Sequence, residues 1–499
     1  MENTRTKEWS KRDEEEPETS TNKGTRAAVP PFKNLSVDEL AQQIQSQLDS
    51  LNNSQHVKPD FCIFRIPGKF SDENLPPYRP RYTVIGPLVY YYYLSGHQEE
   101  EKQRYLASFL RRAKLTTSLN DFIELIEKHL PKIRGCYEKM YYRYWDDSVG
   151  RARQDKRAGT QSHSSLLIGM ILVDAGFILE LLLRAYSEGL RDENDLIFAK
   201  SGTIHDLKRD LMLLENQLPF FLLKKMYKRA LKCHPHYPSF SSSHLHYYNQ
   251  SISIDEVLSP NNLHSSEYRS NLENTKHFTD LIRTFQQPYS TIQKKQQQCG
   301  IWNILRGNTL FVNLISFQKP EEGKVQQQQQ GAYLYSAVLL REAGVKFKVS
   351  LNTCLFNIEF DENKGELKIP PLKVDDSTES FYGNLMVWEQ CYYPNDTFIC
   401  DYIFLIGYLI KSAEDVSILV RKRILINQLG GPIEIIAMFN RLCKYINVGT
   451  ENRYSSLFVK LNAYNAVPHH SWIAILKLEY FSTPWTGVAT IAATILLVL

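Results

Sequence analysis

Leu166-Leu167-Ile168-Gly169-Met170-Ile171-Leu172-Val173-Asp174-Ala175-Gly176-Phe177-Ile178-Leu179-Glu180-Leu181-Leu182-Leu183-Arg184 is the most apolar internal stretch of the chain. A helix of this length comes close to crossing a bilayer, so its reading decides between a membrane bundle and a globular helical domain. Asp174 and Glu180 lie inside it. An aspartate at the centre of a span costs about 2.5–3.5 kcal/mol on insertion scales. A core helix, apolar on nearly every side, fits the run better. Its two carboxylates must then be neutral, paired or hydrogen-bonded, and pairing with an arginine is expected ahead of a perturbed catalytic acid.

The flanking sequence carries the same helical period. Upstream, a helix is expected from near Glu99 through Lys102, Tyr105, Leu106 and Leu110. A second runs from Leu119 to Ile133, with Phe122, Leu125, Ile126 and Leu130 on its buried stripe. Downstream, Ile204, Leu207, Leu211, Leu214 and Leu218 line one face until Pro219. Proline has no amide hydrogen and clashes inside a helix, so Phe220 to Lys232 should start afresh at an angle. Asp206 and Asp210 share a face of the first of these helices, with Glu215 beyond. Beside Lys208 and Arg209 they read as a solvated face.

Further on, Phe356, Ile358 and Phe360 alternate with polar residues, as do Leu367 and Ile369. Asp361-Glu362-Asn363-Lys364-Gly365 between them predicts a β-hairpin that Pro370-Pro371 ends. Helices are expected near Ser377–Cys391, Thr397–Lys411, Glu414–Ile426 and Pro432–Ile446. Asp376 followed by Glu379 has the spacing of a helix-capping box, so the acids of Asp375-Asp376-Ser377-Thr378-Glu379 are assigned to capping. Phe61 to Pro67 reads as a short strand or extended segment. The predicted fold class is therefore mainly α: one large helical domain over 59–481 with a small hairpin and short strands.

The two ends differ from this domain. Residues 1–58, which begin by mixing acids and bases without an apolar leader, are expected to form a disordered tail with one short amphipathic helix, 36–51. At the other end, 482–499 has Trp485 at an interfacial position and no charged residue after it. Trp485 to Leu499 would make roughly 22 Å of helix against a hydrocarbon core of about 30 Å. It is expected either to dip into one leaflet or to continue beyond the sequence given. The alternative is a helix buried in the domain. As a single-pass or tail anchor it would hold the domain on a membrane, on the cytoplasmic side.

Composition narrows the function classes. Among 499 residues, 59 Lys and Arg face 55 Asp and Glu, for a net charge of +4. The basic residues form no long run, so nucleic acid is not an expected partner. The eight cysteines are scattered with no Cys-x-x-Cys pair, as in a reducing compartment. Cys233, His234, His236, His244 and His246 match no zinc spacing. Neither a nucleophile elbow nor a glycine-rich phosphate loop is present. No catalytic, cofactor-binding or metal-binding residue is assigned, and no cofactor is expected.

Taken in order, several segments resemble a plant family known as domain of unknown function 247. They include Ile63-Phe64-Arg65-Ile66-Pro67, Ile85-Gly86-Pro87, Met170 to Glu180, and Asp210-Leu211-Met212-Leu213-Leu214-Glu215-Asn216-Gln217-Leu218-Pro219-Phe220. Leu340-Arg341-Glu342-Ala343-Gly344, Ile369-Pro370-Pro371-Leu372, Ala413-Glu414-Asp415-Val416 and Tyr480-Phe481-x-x-Pro484-Trp485 continue the series. After Gly86-Pro87 the family commonly carries histidines, where this chain has Leu88-Val89-Tyr90-Tyr91-Tyr92-Tyr93. The resemblance implies a large helical domain with a C-terminal membrane segment and no established activity. Some grass members are linked to pollen self-incompatibility, which implies recognition or signalling. The expectation is thus a membrane-tethered interaction protein with an unknown protein partner, not an enzyme. The competing class is a hydrolase with a carboxylate pocket around Asp174, Asp206 or Asp375.

Overall fold

The computed structural model describes residues 61–67, 78–88, 96–114, 117–138, 163–193, 195–231, 237, 240, 274–286, 334–350, 354–444, 446 and 452–467, with 488, 492 and 495. The tail and helix expected over 1–58, the Cys233 to His246 cluster and the anchor expected over 482–499 lie outside these residues. The exceptions are Val488, Ala492 and Ile495, single helical positions. The chain divides at Asp60, and every described residue belongs to Phe61–Leu499.

The apolar run folds as α3 (His163–Tyr186), after α1 (Gly96–Ala113) and α2 (Leu119–Gly135). By length and composition α3 could cross a membrane, but 78% of its apolar window is buried inside the fold. It is internal and forms the spine of the domain, packed on α1, α2 and α6 (Phe220–Leu231). Gly176 explains how closely α1 approaches: a Cβ there would lie 2.3 Å from Leu106 Cδ1. α2 starts with a reciprocal cap between Ser118 and Asp121 and buries Phe122, Ile126 and Ile133. Residues 61–67 are extended, but their pairing is a single parallel bridge from Ile63 to Tyr137.

Between α3 and α6 lie a 3-10 turn (Glu188–Leu190), α4 (Leu196–Ala199) and α5 (Ser201–Asp210). The stripe from Ile204 to Leu218 predicted helix as far as Pro219, yet α5 ends at Asp210. The reason lies in two amides that periodicity ignores. Asn216 Nδ2 donates to the Asp210 carbonyl at 3.0 Å, and Gln217 Nε2 donates to those of Leu211 and Leu213, each at 2.7 Å. These carbonyls would otherwise take the next helical N–H groups, so the side chains stabilise a run of tight turns instead. Leu211, Leu214 and Leu218 are still buried, on wrapped rather than helical backbone.

The remaining helices are α7 (Phe278–Gln286), α8 (Ala337–Glu342), α9 (Thr378–Tyr392), α10 (Phe398–Leu409), α11 (Ala413–Arg421), α12 (Pro432–Cys443) and α13 (Ser455–Asn465). The hairpin forms as expected: β2 (Glu359–Asp361) runs antiparallel to β3 (Glu366–Ile369), with Phe360 opposite Leu367. Sequence alternation missed β1 (Lys346–Val349), which adds parallel to β3. It also missed β4 (Leu372–Val374), parallel to β5 (Leu425–Asn427). The helix expected over Glu414–Ile426 stops at Arg421, because Arg423 adopts a left-handed φ of 58° and turns the chain into β5. One continuous apolar cluster links both halves, from Ile63 and Phe64 through α3 and Trp388 to Phe458 and Leu461.

Candidate functional site

The polar residues of the core form a latch around residues 81–86. Lys102 Nζ lies 2.6 Å from Asp174 Oδ1 and donates to the Val84 carbonyl at 3.0 Å. The other oxygen of Asp174 accepts the Gly86 N–H at 2.8 Å. Burial lifts the Asp174 carboxyl above its usual range, opposed by Lys102 and the Gly86 amide. Burial alone would lower the Lys102 ammonium, but Asp174 and Glu99 outweigh it and its pKa rises. Gly86 has a φ of +75°, and a Cβ there would meet the Gln217 carbonyl oxygen at 2.5 Å, so only glycine fits.

Asp210, assigned from sequence to a solvated face, is fully buried. Its carboxylate accepts the N–H groups of Arg81 at 2.9 Å, Tyr82 at 2.6 Å and Thr83 at 2.9 Å. Burial pushes it up to about 6 although those amides and Arg209 draw it down. Asn216 completes the clasp, accepting from Ile85 N–H and donating to the Thr83 carbonyl. Glu215 accepts the Ile66 N–H at 2.7 Å. The carboxylates of this segment therefore take the place of a paired strand for 81–86, which is the role buried backbone donors require. Lys208 and Arg209 are buried as well, which reverses the expected solvated face.

Glu180 pairs with arginines, as expected: Arg112 Nη2 at 2.9 Å and Arg184 Nε at 2.8 Å. Asp174 departs from that expectation, since its partner is a lysine. Arg184 continues to Asp195 at 2.7 Å, and Tyr105 donates to the same carboxylate at 2.7 Å. A second buried set joins α7 to α9. Arg283 Nε lies 3.1 Å from Glu389, and Asp280 accepts from Trp388 Nε1 and the Tyr393 hydroxyl.

Above the latch sits an exposed cluster that sequence reading reached only in part. Arg81 Nη1 lies 3.4 Å from Asp206 Oδ1 and 3.2 Å from Asp376 Oδ2. His205 Nε2 is 3.7 Å from the other oxygen of Asp376. Three segments far apart in sequence meet here, and the side chains of Arg81, Asp206, His205 and Asp376 are 37%, 35%, 46% and 62% exposed. The cluster is a hydrated surface feature. Such pairs contribute little stability on their own, so the buried clasp on the Arg81 backbone does the positioning.

Asp376 is thus a surface contact and not the expected helix cap. Glu379 turns away to Arg441, with both contacts at 2.7 Å. The chain entering α9 is braced one residue earlier, in a turn ahead of the N-cap Ser377: Asp375 Oδ1 accepts the Ser377 N–H at 3.1 Å and the hydroxyls of Ser377 and Thr378. The acids nominated for a hydrolytic pocket have three separate settings. Asp174 is buried on Lys102, Asp206 faces Arg81, and Asp375 braces the turn before α9. Among the described residues, no group of three or more His, Cys, Asp or Glu side chains is arranged to hold a metal ion. Arg81 and His205 were missed because their acidic partners lie far away in sequence, and Lys102 because its buried partner Asp174 does, although Glu99 one turn before it is local.

Comparison with known proteins gives a consistent picture. Residues 63–499 match the model of the family DUF247, described as a plant protein of unknown function. A UPF0481 protein of Arabidopsis thaliana is 26% identical over 453 residues, covering 89% of this chain and 85% of its own. A putative UPF0481 protein of the same plant is 22% identical over 520 residues, with 91% and 92% covered. No solved structure matches.

Proposed function

Because the chain belongs to the DUF247 family of plant proteins of unknown function, we propose that it is a non-catalytic recognition component tethered to a membrane through 482–499. One observation carries the reading. The core acids of the helical half each accept backbone amides or pair with a buried cation and so serve the fold, whereas Arg81, His205, Asp206 and Asp376 bring three distant segments together in one exposed polar cluster. Arg81 is pinned through its backbone at 81–83 by Asp210, so its guanidinium is pre-positioned between two acids. A partner that brings its own carboxylate and ammonium groups could exchange into these pairs at small ordering cost. The partner is inferred to be a protein, since the cluster mixes signs and a nucleic acid would need a basic face.

The competing reading, a hydrolase, draws on one fact: His205 and two acids, Asp206 and Asp376, do meet. General acid–base work needs such groups within reach of a substrate and tuned by desolvation, whereas these are hydrated and bridged by Arg81. Purified domain assayed against a panel of ester, amide, glycoside and phosphate substrates separates the readings. Turnover lost in His205→Ala and Asp206→Asn would establish the enzyme, and absence of turnover in the folded domain supports recognition. The tether is tested by alkaline carbonate washing of full-length chain and chain ending at Pro484. Pelleting of the full-length form alone supports it, and recovery of both in the supernatant refutes it.

A further inference from the structure

Cys62 and Cys136 stand side by side although 74 positions separate them in sequence. The parallel bridge between Ile63 and Tyr137 sets the register, so the residue preceding each is the next pair along. Three backbone bonds hold this arrangement: Cys62 N–H and Ile63 N–H both donate to the Cys136 carbonyl at 2.8 Å, and Glu138 N–H donates to the Ile63 carbonyl at 2.9 Å. Chains hydrogen-bonded in this way run about 4.8 Å apart, inside the Cα separation of about 4.4–6.8 Å that a disulfide requires. Cys136 Sγ is 3.3 Å from the Lys132 carbonyl, at the end of α2.

The two cysteines differ in access. Cys62 is buried, and Cys136 is partly exposed. From this geometry we infer that Cys62 and Cys136 are a dithiol modification site, oxidised by hydroperoxide to an intramolecular disulfide. In the first step the Cys136 thiolate attacks a peroxide oxygen. The O–O bond breaks, the leaving oxygen departs as water or alcohol after protonation, and Cys136 becomes a sulfenic acid. In the second step the Cys62 sulfur attacks the Cys136 sulfur, the S–O bond breaks, and hydroxide leaves as water with the proton from Cys62. Two thiols and one hydroperoxide thus give one disulfide, one water and one water or alcohol. The peroxide is reduced by the two electrons that the sulfurs lose.

The bond would lock the extended segment to the end of α2 beside a tightly linked group. The Cys62 carbonyl accepts from His277 Nε2 at 3.0 Å, and the His277 ring packs edge-on against Trp388. Closing so long a loop restricts the unfolded chain, so the oxidised form should melt about 5 °C higher.

The experiment treats the folded full-length chain with hydrogen peroxide, blocks remaining thiols by alkylation, and maps peptides without reduction. The expected result is a cross-linked peptide pair containing Cys62 and Cys136, with Cys391, which is exposed, alkylated or singly oxidised. The raised melting temperature should vanish on reduction and be absent in Cys136→Ser. The Cys391→Ser variant should retain it. The inference is overturned if Cys136 is recovered as sulfinic acid or joined to another chain, or if both thiols are alkylated after peroxide has consumed Cys391. Because peptide mapping is done on the wild type, a folding defect in Cys136→Ser would not obscure the outcome.

Discussion

Lys102 Nζ sits 2.6 Å from Asp174 Oδ1 with both side chains buried, so one ion pair joins α1 to α3. The same ammonium holds the Val84 carbonyl and the same carboxylate holds Gly86 N–H, which attaches the 81–86 segment to the helical spine. The pair is a structural rivet. Removing the cation alone leaves an uncompensated buried carboxylate, so Lys102→Met should destabilise the domain by about 3–5 kcal/mol. Replacing both partners, as Lys102→Met with Asp174→Leu, should recover part of the loss. Denaturant titration of the three proteins measures this. A double variant worse than Lys102→Met would mean that the Gly86 contact dominates.

His277 gives a pH dependence that can be isolated. It is fully buried, and burial holds its pKa down at about 4 against the usual 6.5. Asp280 N–H donates to Nδ1 and Nε2 faces the Cys62 carbonyl, an arrangement that fits the neutral ring. The unfolded chain takes up a proton below about 6.5 that the folded chain refuses until about 4. Its contribution is therefore complete above the unfolded pKa and is lost as pH falls through that window, about 3 kcal/mol in all. Glu389, which burial pushes up to about 7, and Asp210 act in the opposite sense. The readable quantity is thus the difference between wild type and His277→Gln. Stability curves at pH 7 and pH 5 should show a smaller loss on acidification in the variant. Equal losses would remove His277 from this role.

At the start of α9 the prediction distinguishes adjacent acids. Asp375→Ala should cost about 0.5–1.5 kcal/mol, because it removes the acceptor for Ser377 N–H and two hydroxyls. Asp376→Ala, on an exposed side chain, should change stability by less than about 0.5 kcal/mol. Thermal unfolding of the two variants checks the order. The reverse order would restore Asp376 as the cap.

Much of the helical half was legible because α1 and α2 carry an apolar period and α3 a continuous apolar run, and the hairpin because β2 and β3 alternate across a turn-rich loop. β1, β4 and β5 are as short but pair in parallel with strands distant in sequence, so no turn-rich loop marks them. The segment from Leu211 to Pro219 was misread since its stripe is genuine; what ends the helix is the hydrogen-bonding of Asn216 and Gln217, which no hydrophobic pattern records. The candidate site was less legible still. Asp210 and Asp206 lie one helical turn apart and read alike, yet one is buried on the backbone of 81–83 and the other faces Arg81. Only tertiary contacts across more than 120 positions separate them.

The proposed recognition role depends on the exposed cluster of Arg81, His205, Asp206 and Asp376 meeting a partner. Proximity labelling in native tissue with wild-type chain and with a combined Arg81→Ala, His205→Ala and Asp376→Ala variant tests it. The substitutions spare the Asp210 clasp, which binds the Arg81 backbone, so melting temperature should be unchanged. The account predicts that a reproducible subset of wild-type neighbours falls about tenfold in the variant, the loss expected for about 1.4 kcal/mol of binding energy. The same neighbours at the same intensities, with the variant folded and equally abundant, would contradict it.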